Sequence, residues 1–295
     1  MLLKDKISGV GTALVTPFTP TGEVDYAALK KIVEYNLSGG VDFLVAMGTT
    51  GESPVLSADE KRKVCEALVN YTDGRVPLVM GIGGNNTASV VEQLQKTDLT
   101  AFSYVLSVAP YYNKPCQEGL YQHYKTIAEN SPKPVIIYNI PSRCGVNVEP
   151  DTILRLAREV KNVAAVKEAS GNLANIGKIL GGRPADFAVL SGDDSLTLPL
   201  MALGADGVIS TTANVFPRQM VALTRAVHAG EMEKAREIHY KIAGAIRLLF
   251  EEGNPAGVKA ALHIQGFCEN FLRLPLVPVS RNLYGRIEEE IAGIR

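Results

Sequence analysis

Short apolar runs alternate with longer amphipathic stretches through most of the chain. The apolar runs predict strands at Gly9–Thr16, Phe43–Met47, Val76–Gly81, Tyr104–Ala109, Val135–Asn139, Val163–Lys167, Ala188–Ser191 and Gly207–Ser210. Most are continuously apolar rather than alternating, as strands buried on both faces of a parallel sheet are. Between them the period lengthens to that of helices, at Tyr26–Ser38, Ser57–Thr72, Ala88–Gln95 and Pro150–Val160. Helix starts carry caps: Ser57 followed by Ala58-Asp59-Glu60 is a capping box, and Asp25 precedes Tyr26-Ala27-Ala28. Strand starts recur roughly every 20 to 35 residues, the length of a βαβ unit. Eight such units predict an α/β fold closed into a (β/α)8 TIM barrel. No G-x-G-x-x-G follows the first strand, which argues against an open dinucleotide-binding sheet. After Asn214 only helical patterns remain, at Arg218–Ala229, Met232–Phe250, Ala256–Gln265 and Ser280–Ile294. The expected organisation is a barrel over residues 1–225 and a C-terminal helical extension over 226–295.

Composition changes this picture little. The 295 residues are 46% hydrophobic and 21% charged, enough apolar material for a core without staples. Net charge is −1 and basic runs stop at pairs such as Lys30-Lys31, so neither nucleic acid nor an anionic membrane surface is an expected partner. Cys65, Cys116, Cys144 and Cys268 are scattered, and His123, His228, His239 and His263 form no H-x-x-x-H pattern. All eight read as structural or incidental, with no zinc-ligand spacing and no disulfide framework. Met1-Leu2-Leu3-Lys4-Asp5-Lys6 is too charged for a signal peptide and no run of 18 apolar residues exists, so the cytoplasm is the expected compartment.

Barrel chemistry sits at the C-terminal ends of the strands. Those ends carry Thr16-Pro17-Phe18, Gly48-Thr49-Thr50-Gly51-Glu52, Gly81-Ile82-Gly83, Pro110-Tyr111-Tyr112, Tyr138 to Arg143, Lys167-Glu168, Ser191 to Asp194 and Ser210-Thr211. This ring is rich in hydroxyls and glycines, holds one strand lysine and lacks histidine. Lys167 closes the run Val163-Ala164-Ala165-Val166, where a charge is costly without a task. A shielded amine is the nucleophile that attacks carbonyls. The competing reading is an ion pair with a carboxylate such as Glu168, but neighbouring residues of a strand point to opposite faces. Tyr138 closes Val135-Ile136-Ile137 and is either a proton relay or a core tyrosine. Gly48-Thr49-Thr50-Gly51 is a carboxylate cradle or simply a turn. Arg143 is a fork for a second carboxylate or a solvated loop residue. The Asp193-Asp194 pair reads better as a cap for the helix starting at Ser195 than as acid–base or metal equipment.

Several motifs, each at a strand end and in order, carry a resemblance over essentially the whole chain. They are Thr12-Ala13-Leu14-Val15-Thr16-Pro17-Phe18, Gly48-Thr49-Thr50-Gly51-Glu52-Ser53, Pro110-Tyr111-Tyr112-Asn113-Lys114-Pro115, Tyr138-Asn139-Ile140-Pro141-Ser142-Arg143, Val166-Lys167-Glu168-Ala169-Ser170-Gly171 and Ser191-Gly192-Asp193-Asp194. The sequence resembles the class I, pyruvate-dependent aldolase family of dihydrodipicolinate synthase and N-acetylneuraminate lyase. Thr49 in place of serine, Arg143 after the Tyr-Asn-x-Pro-Ser pattern, and the run Tyr111-Tyr112-Asn113 side with the synthase branch. Asn254-Pro255-Ala256-Gly257-Val258-Lys259 departs from the synthase pattern Asn-Pro-Ile-Pro-Val-Lys at two places. It is read as neutral because it is distant in sequence from the barrel ring.

The resemblance implies a lyase that condenses pyruvate with aspartate-4-semialdehyde to 4-hydroxy-tetrahydrodipicolinate, in lysine and diaminopimelate biosynthesis. Lys167 is then the imine-forming residue, and Thr49 and Thr50 hold the pyruvate carboxylate, mainly through backbone N–H groups. Thr50, Tyr138 and Tyr112 form a proton-shuttling hydroxyl chain, with Tyr112 donated by a neighbouring subunit of a homotetramer built as a dimer of dimers. Arg143 binds the semialdehyde carboxylate, and the backbones at Gly192 and Ile209 line the pocket. No organic cofactor and no catalytic metal are implied. The alternative is another family member, a 2-keto-3-deoxy-sugar-acid aldolase or N-acetylneuraminate lyase, which would need hydroxyl-binding groups where Arg143 stands. The lysine-sensitive pattern of the family has imidazoles at the positions of Ala58 and Lys61 and a glutamate at that of Ser89. These departures imply weak feedback inhibition.

Overall fold

The computed structural model describes residues 6–294, so the N-terminal reading, Lys6 apart, lies outside the described residues. Eight strands close into one parallel barrel in the order β1 to β8: β1 Gly9–Ala13, β2 Phe43–Ala46, β3 Leu78–Gly81, β4 Tyr104–Val108, β5 Val135–Asn139, β6 Val163–Glu168, β7 Ala188–Ser191 and β8 Gly207–Ser210. The helices between them are α1 Tyr26–Ser38, α2 Ala58–Thr72, α3 Thr87–Lys96, α4 Gln117–Asn130, the single turn α5 Pro141–Cys144, α6 Pro150–Glu159, α7 Leu173–Gly182 and α8 Thr197–Ala202. After β8 come α9 Pro217–His228, α10 Met232–Glu251, α11 Ala256–Ile264 and α12 Arg281–Ile294.

The expected strands all form, and their runs are buried on both faces, as β2, β5, β7 and β8 show throughout. Their limits differ in places. The extended run from Gly9 leaves the sheet after Ala13 because Asn214 takes over its backbone groups. The Asn214 amide donates to the Ala13 carbonyl at 2.7 Å and its carbonyl accepts from the Val15 N–H at 3.2 Å. The caps form as read: Asp25 accepts from the Ala28 N–H, and Ser57 and Glu60 satisfy each other's backbone N–H groups.

The chain divides into two compact units. One is built on Leu78–Ile209 with the residues just before Val10, and the other on Val10–Pro77 and Ser210 onward. In the first, β3 to β8 run in parallel register, with Tyr138 opposite Lys167 and Asn139 opposite Glu168. In the second, Gly11, Thr12 and Ala13 of β1 pair with Phe43, Leu44 and Val45 of β2. No helix among the described residues is long and apolar enough to cross a membrane.

Candidate active site

Within the first unit the strand ends gather around Lys167. Its side chain is buried, at 5% exposure, and its Nζ lies 4.1 Å from the centroid of the Tyr138 ring, itself 6% exposed. Glu168 turns to the opposite face, where its carboxylate accepts from the Asn139 amide and from the Ser170 hydroxyl at 2.8 Å. Burial raises the Glu168 carboxyl above the usual range, while those donors work against the shift. The ion pair weighed for Lys167 and Glu168 is therefore absent, and each side chain has its own setting.

Gly192 makes room for the lysine. Its N–H donates to the Glu168 carbonyl at 2.7 Å, and a Cβ there would sit 3.1 Å from Lys167 Cε and 2.8 Å from Ala169 Cβ. A larger residue would clash with Ala169 and crowd the lysine stem. Ile209, on β8, is buried. Asp193 caps the short turn Asp194–Leu196, accepting from the Ser195 N–H at 2.9 Å and the Ser195 hydroxyl at 2.6 Å, as the capping reading expects. Among the described residues no three His, Cys, Asp or Glu side chains cluster as a metal site.

Two polar segments of the same unit are tied together. The Tyr112 N–H donates to the carbonyl of Cys144, one residue beyond Arg143 on α5. Asn85 and Asn113 brace this loop, through bonds to the carbonyls of Tyr111 and Asn85 at 3.1 and 3.0 Å. Tyr112 is held in the left-handed region, φ 73°, with its side chain 89% exposed. Arg143 is also exposed. A left-handed tyrosine fixed in the open is strain in search of a purpose.

The second unit carries the threonine turn. Met47 and Glu52, both with left-handed backbones (φ 56° and 52°), bracket Gly48 to Gly51. Such conformations cost about 1–3 kcal/mol each for residues other than glycine. Inside the turn, Gly51 and Glu52 donate to the carbonyls of Gly48 and Thr49. Among the described residues the N–H groups of Thr49 and Thr50 have no acceptor, as expected for the first residues of a helical turn. Thr50 is buried, with its Oγ1 3.1 Å from that of Thr211, and the Gly51 carbonyl accepts from the Thr16 hydroxyl at 2.7 Å.

One reading needs correction. The 254–259 segment, taken as remote because of its place in the sequence, reaches this turn. The Asn254 amide donates to Thr50 Oγ1 at 3.0 Å, and Lys259 on α11 forms an ion pair with Glu52, both side chains fully buried. Desolvation lowers the Lys259 ammonium below the usual lysine range, with Glu52 opposing it. The signal was present: Lys259 is a charge inside the apolar run Ala256 to Leu262, the same argument that singled out Lys167.

The dihydrodipicolinate synthetase family model matches residues 6–293, nearly the whole described chain. The chain belongs to that family. A 4-hydroxy-tetrahydrodipicolinate synthase from Parabacteroides distasonis is 50% identical over 283 residues, covering 96% of this chain and 95% of the relative. One from Phocaeicola vulgatus is 49% identical, covering 94% and 93%. Among solved structures, the dihydrodipicolinate synthase of Thermotoga maritima superposes with a TM-score of 0.96 at 42% identity, covering 98% of this chain and 99% of that one. These relatives side with the synthase branch of the family, and none of them is a sugar-acid aldolase or a sialate lyase.

Proposed function

We propose that the chain is a lyase of this family that condenses pyruvate with aspartate-4-semialdehyde to 4-hydroxy-tetrahydrodipicolinate, a step of lysine and diaminopimelate biosynthesis, with the cytoplasm as its compartment. The observation that carries the reading is Lys167: an amine shielded at a strand end, without a carboxylate partner among the described residues, over a tyrosine ring and beside a glycine that leaves it room. Its Nζ attacks the keto carbon of pyruvate, water leaves, and an imine forms. Loss of a proton from the methyl carbon then gives an enamine, with the imine nitrogen receiving the electron pair. The enamine carbon adds to the aldehyde carbon of the second substrate, whose oxygen takes up a proton. The amino group of the adduct then attacks the imine carbon, closing the ring and releasing Lys167 as the free amine.

The remaining roles follow from chemistry at each position. Thr49 and Thr50 offer two N–H donors to the pyruvate carboxylate. The hydroxyls of Thr50, Tyr138 and Tyr112 carry protons to and from the reacting atoms. Arg143, exposed on its short helix, forks onto the carboxylate of the semialdehyde. Gly192 and Ile209 line the pocket through their backbones. The exposed, left-handed Tyr112 suits a residue offered to a neighbouring subunit, so the smallest active assembly is a dimer, and two dimers make a tetramer. Residues 1–225 supply the reacting groups and 226–295 the helical extension.

The test is covalent trapping. Borohydride added with pyruvate should fix a reduced pyruvyl group on Lys167, found by peptide mass spectrometry, and Lys167→Ala should lose both label and turnover. Labelling of another lysine, or preference for a sugar-derived aldehyde over the semialdehyde, would overturn the reading.

A further inference from the structure

The buried pair of Glu52 and Lys259 has no step to perform in the reaction above, yet it adjoins the threonine turn. Glu52 is the residue that ends the turn, its N–H donating to the Thr49 carbonyl at 3.1 Å while its own backbone stays left-handed. Its carboxylate is held by two donors from the C-terminal region, the Lys259 ammonium and the Arg273 N–H, the latter at 3.3 Å. Lys259 is fixed in turn: it donates to the Phe271 carbonyl at 3.0 Å and stands 4.1 Å from the centroid of the Phe18 ring. Arg273 stands 4.5 Å from that centroid and grips Glu60 and the Val55 carbonyl.

A buried ion pair is a poor way to gain stability, since well-packed apolar residues of the same volume do as well or better. What it supplies is direction, because a carboxylate with two fixed donors cannot turn. Asn254 adds a second tie two residues before the end of the turn, donating to Thr50 Oγ1 and so leaving that hydroxyl's own proton for another acceptor. Together the two contacts hold Thr50 and Glu52, while among the described residues the N–H groups of Thr49 and Thr50 keep no acceptor.

We propose that Lys259 and Asn254 are positioning residues that hold the Thr49–Thr50 turn in the geometry that receives the pyruvate carboxylate. The inference rests on the reading of that turn as the pyruvate cradle. Neither residue touches substrate; both act through the turn.

Two variants test it. Asn254→Ala removes one tie. Glu52→Gln combined with Lys259→Met removes the other while avoiding a bare buried carboxylate, which Lys259→Met alone would leave. Thermal melting confirms that each is folded. The pyruvate concentration for half-maximal borohydride trapping on Lys167 should rise about tenfold or more in each, because a misplaced binding group costs rate and affinity steeply. The Michaelis constant for the semialdehyde should stay within about twofold. Folded variants with an unchanged pyruvate requirement, or with equal losses toward both substrates, overturn the positioning role alone. A wild-type protein that takes no pyruvate-dependent label on Lys167 removes the cradle reading and this inference with it.

Discussion

Arg143 and Lys167 pose opposite problems for a reader of residues. Lys167 stands out because a cation closes an apolar run, and among the described residues it is buried there with no acidic partner. Arg143 lies in a polar segment and is exposed, so only the family pattern distinguishes it from a solvated arginine. Its role is open to measurement: Arg143→Ala should raise the Michaelis constant for the semialdehyde about 10- to 150-fold, the worth of one charge-assisted contact, and that for pyruvate much less. Equal effects on both substrates would make it structural. Two other residues bear on regulation. Against the lysine-sensitive pattern that the family resemblance implies, Ser89 offers a hydroxyl in place of a carboxylate and Lys61 a cation expected to repel an incoming ammonium. A lysine titration at subsaturating pyruvate should give half-inhibition above about 1 mM, a site worth less than roughly 4 kcal/mol. Tighter inhibition would mean that another carboxylate serves.

At the scale of elements, every strand and most helices could be read from periodicity and caps, because burial on both faces and orphan N–H groups leave marks in sequence. The limits were less legible where a distant side chain replaces a backbone partner, as Asn214 does at Ala13 and Val15. Close packing of helices is equally hidden. Gly257 on α11 lies so near α10 that a Cβ would come within 2.3 Å of the Leu249 carbonyl. Gly257→Ala should therefore destabilise the protein by about 1–3 kcal/mol in urea unfolding, as overpacking does. No loss would mean that α11 has room to shift. Between α3 and α4 the buried His123 bonds Thr87 through Nδ1 at 2.8 Å, and desolvation lowers its pKa from 6.5 to about 4. A depressed pKa favours the fold while the ring is neutral. That stability is fully present above pH 6.5 and is lost as pH falls through about 4, up to about 3 kcal/mol in all. Unfolding measured between pH 7 and 4 should show this slope, and His123→Asn, which keeps a hydrogen-bonding group near Nδ1, should flatten it. An unchanged slope would assign acid sensitivity elsewhere.

For the whole molecule, the closed barrel could be inferred by counting units, and the candidate site was proposed from the residues that end them. What the sequence could not disclose is which distant segments meet. Asn254 and Thr50 are 204 residues apart, and Arg273 and Glu60 are 213 apart. That separation also orders events in time. A ribosome makes Thr49, Thr50 and then Lys167 well before Asn254, Lys259 and Arg273, so the emerging polypeptide holds the proposed nucleophile while the turn still lacks those contacts. On the proposed reading, competence arrives with the last stretch to be translated. On that reading, a chain released early holds Lys167 but takes up keto acids about tenfold more weakly than the finished one.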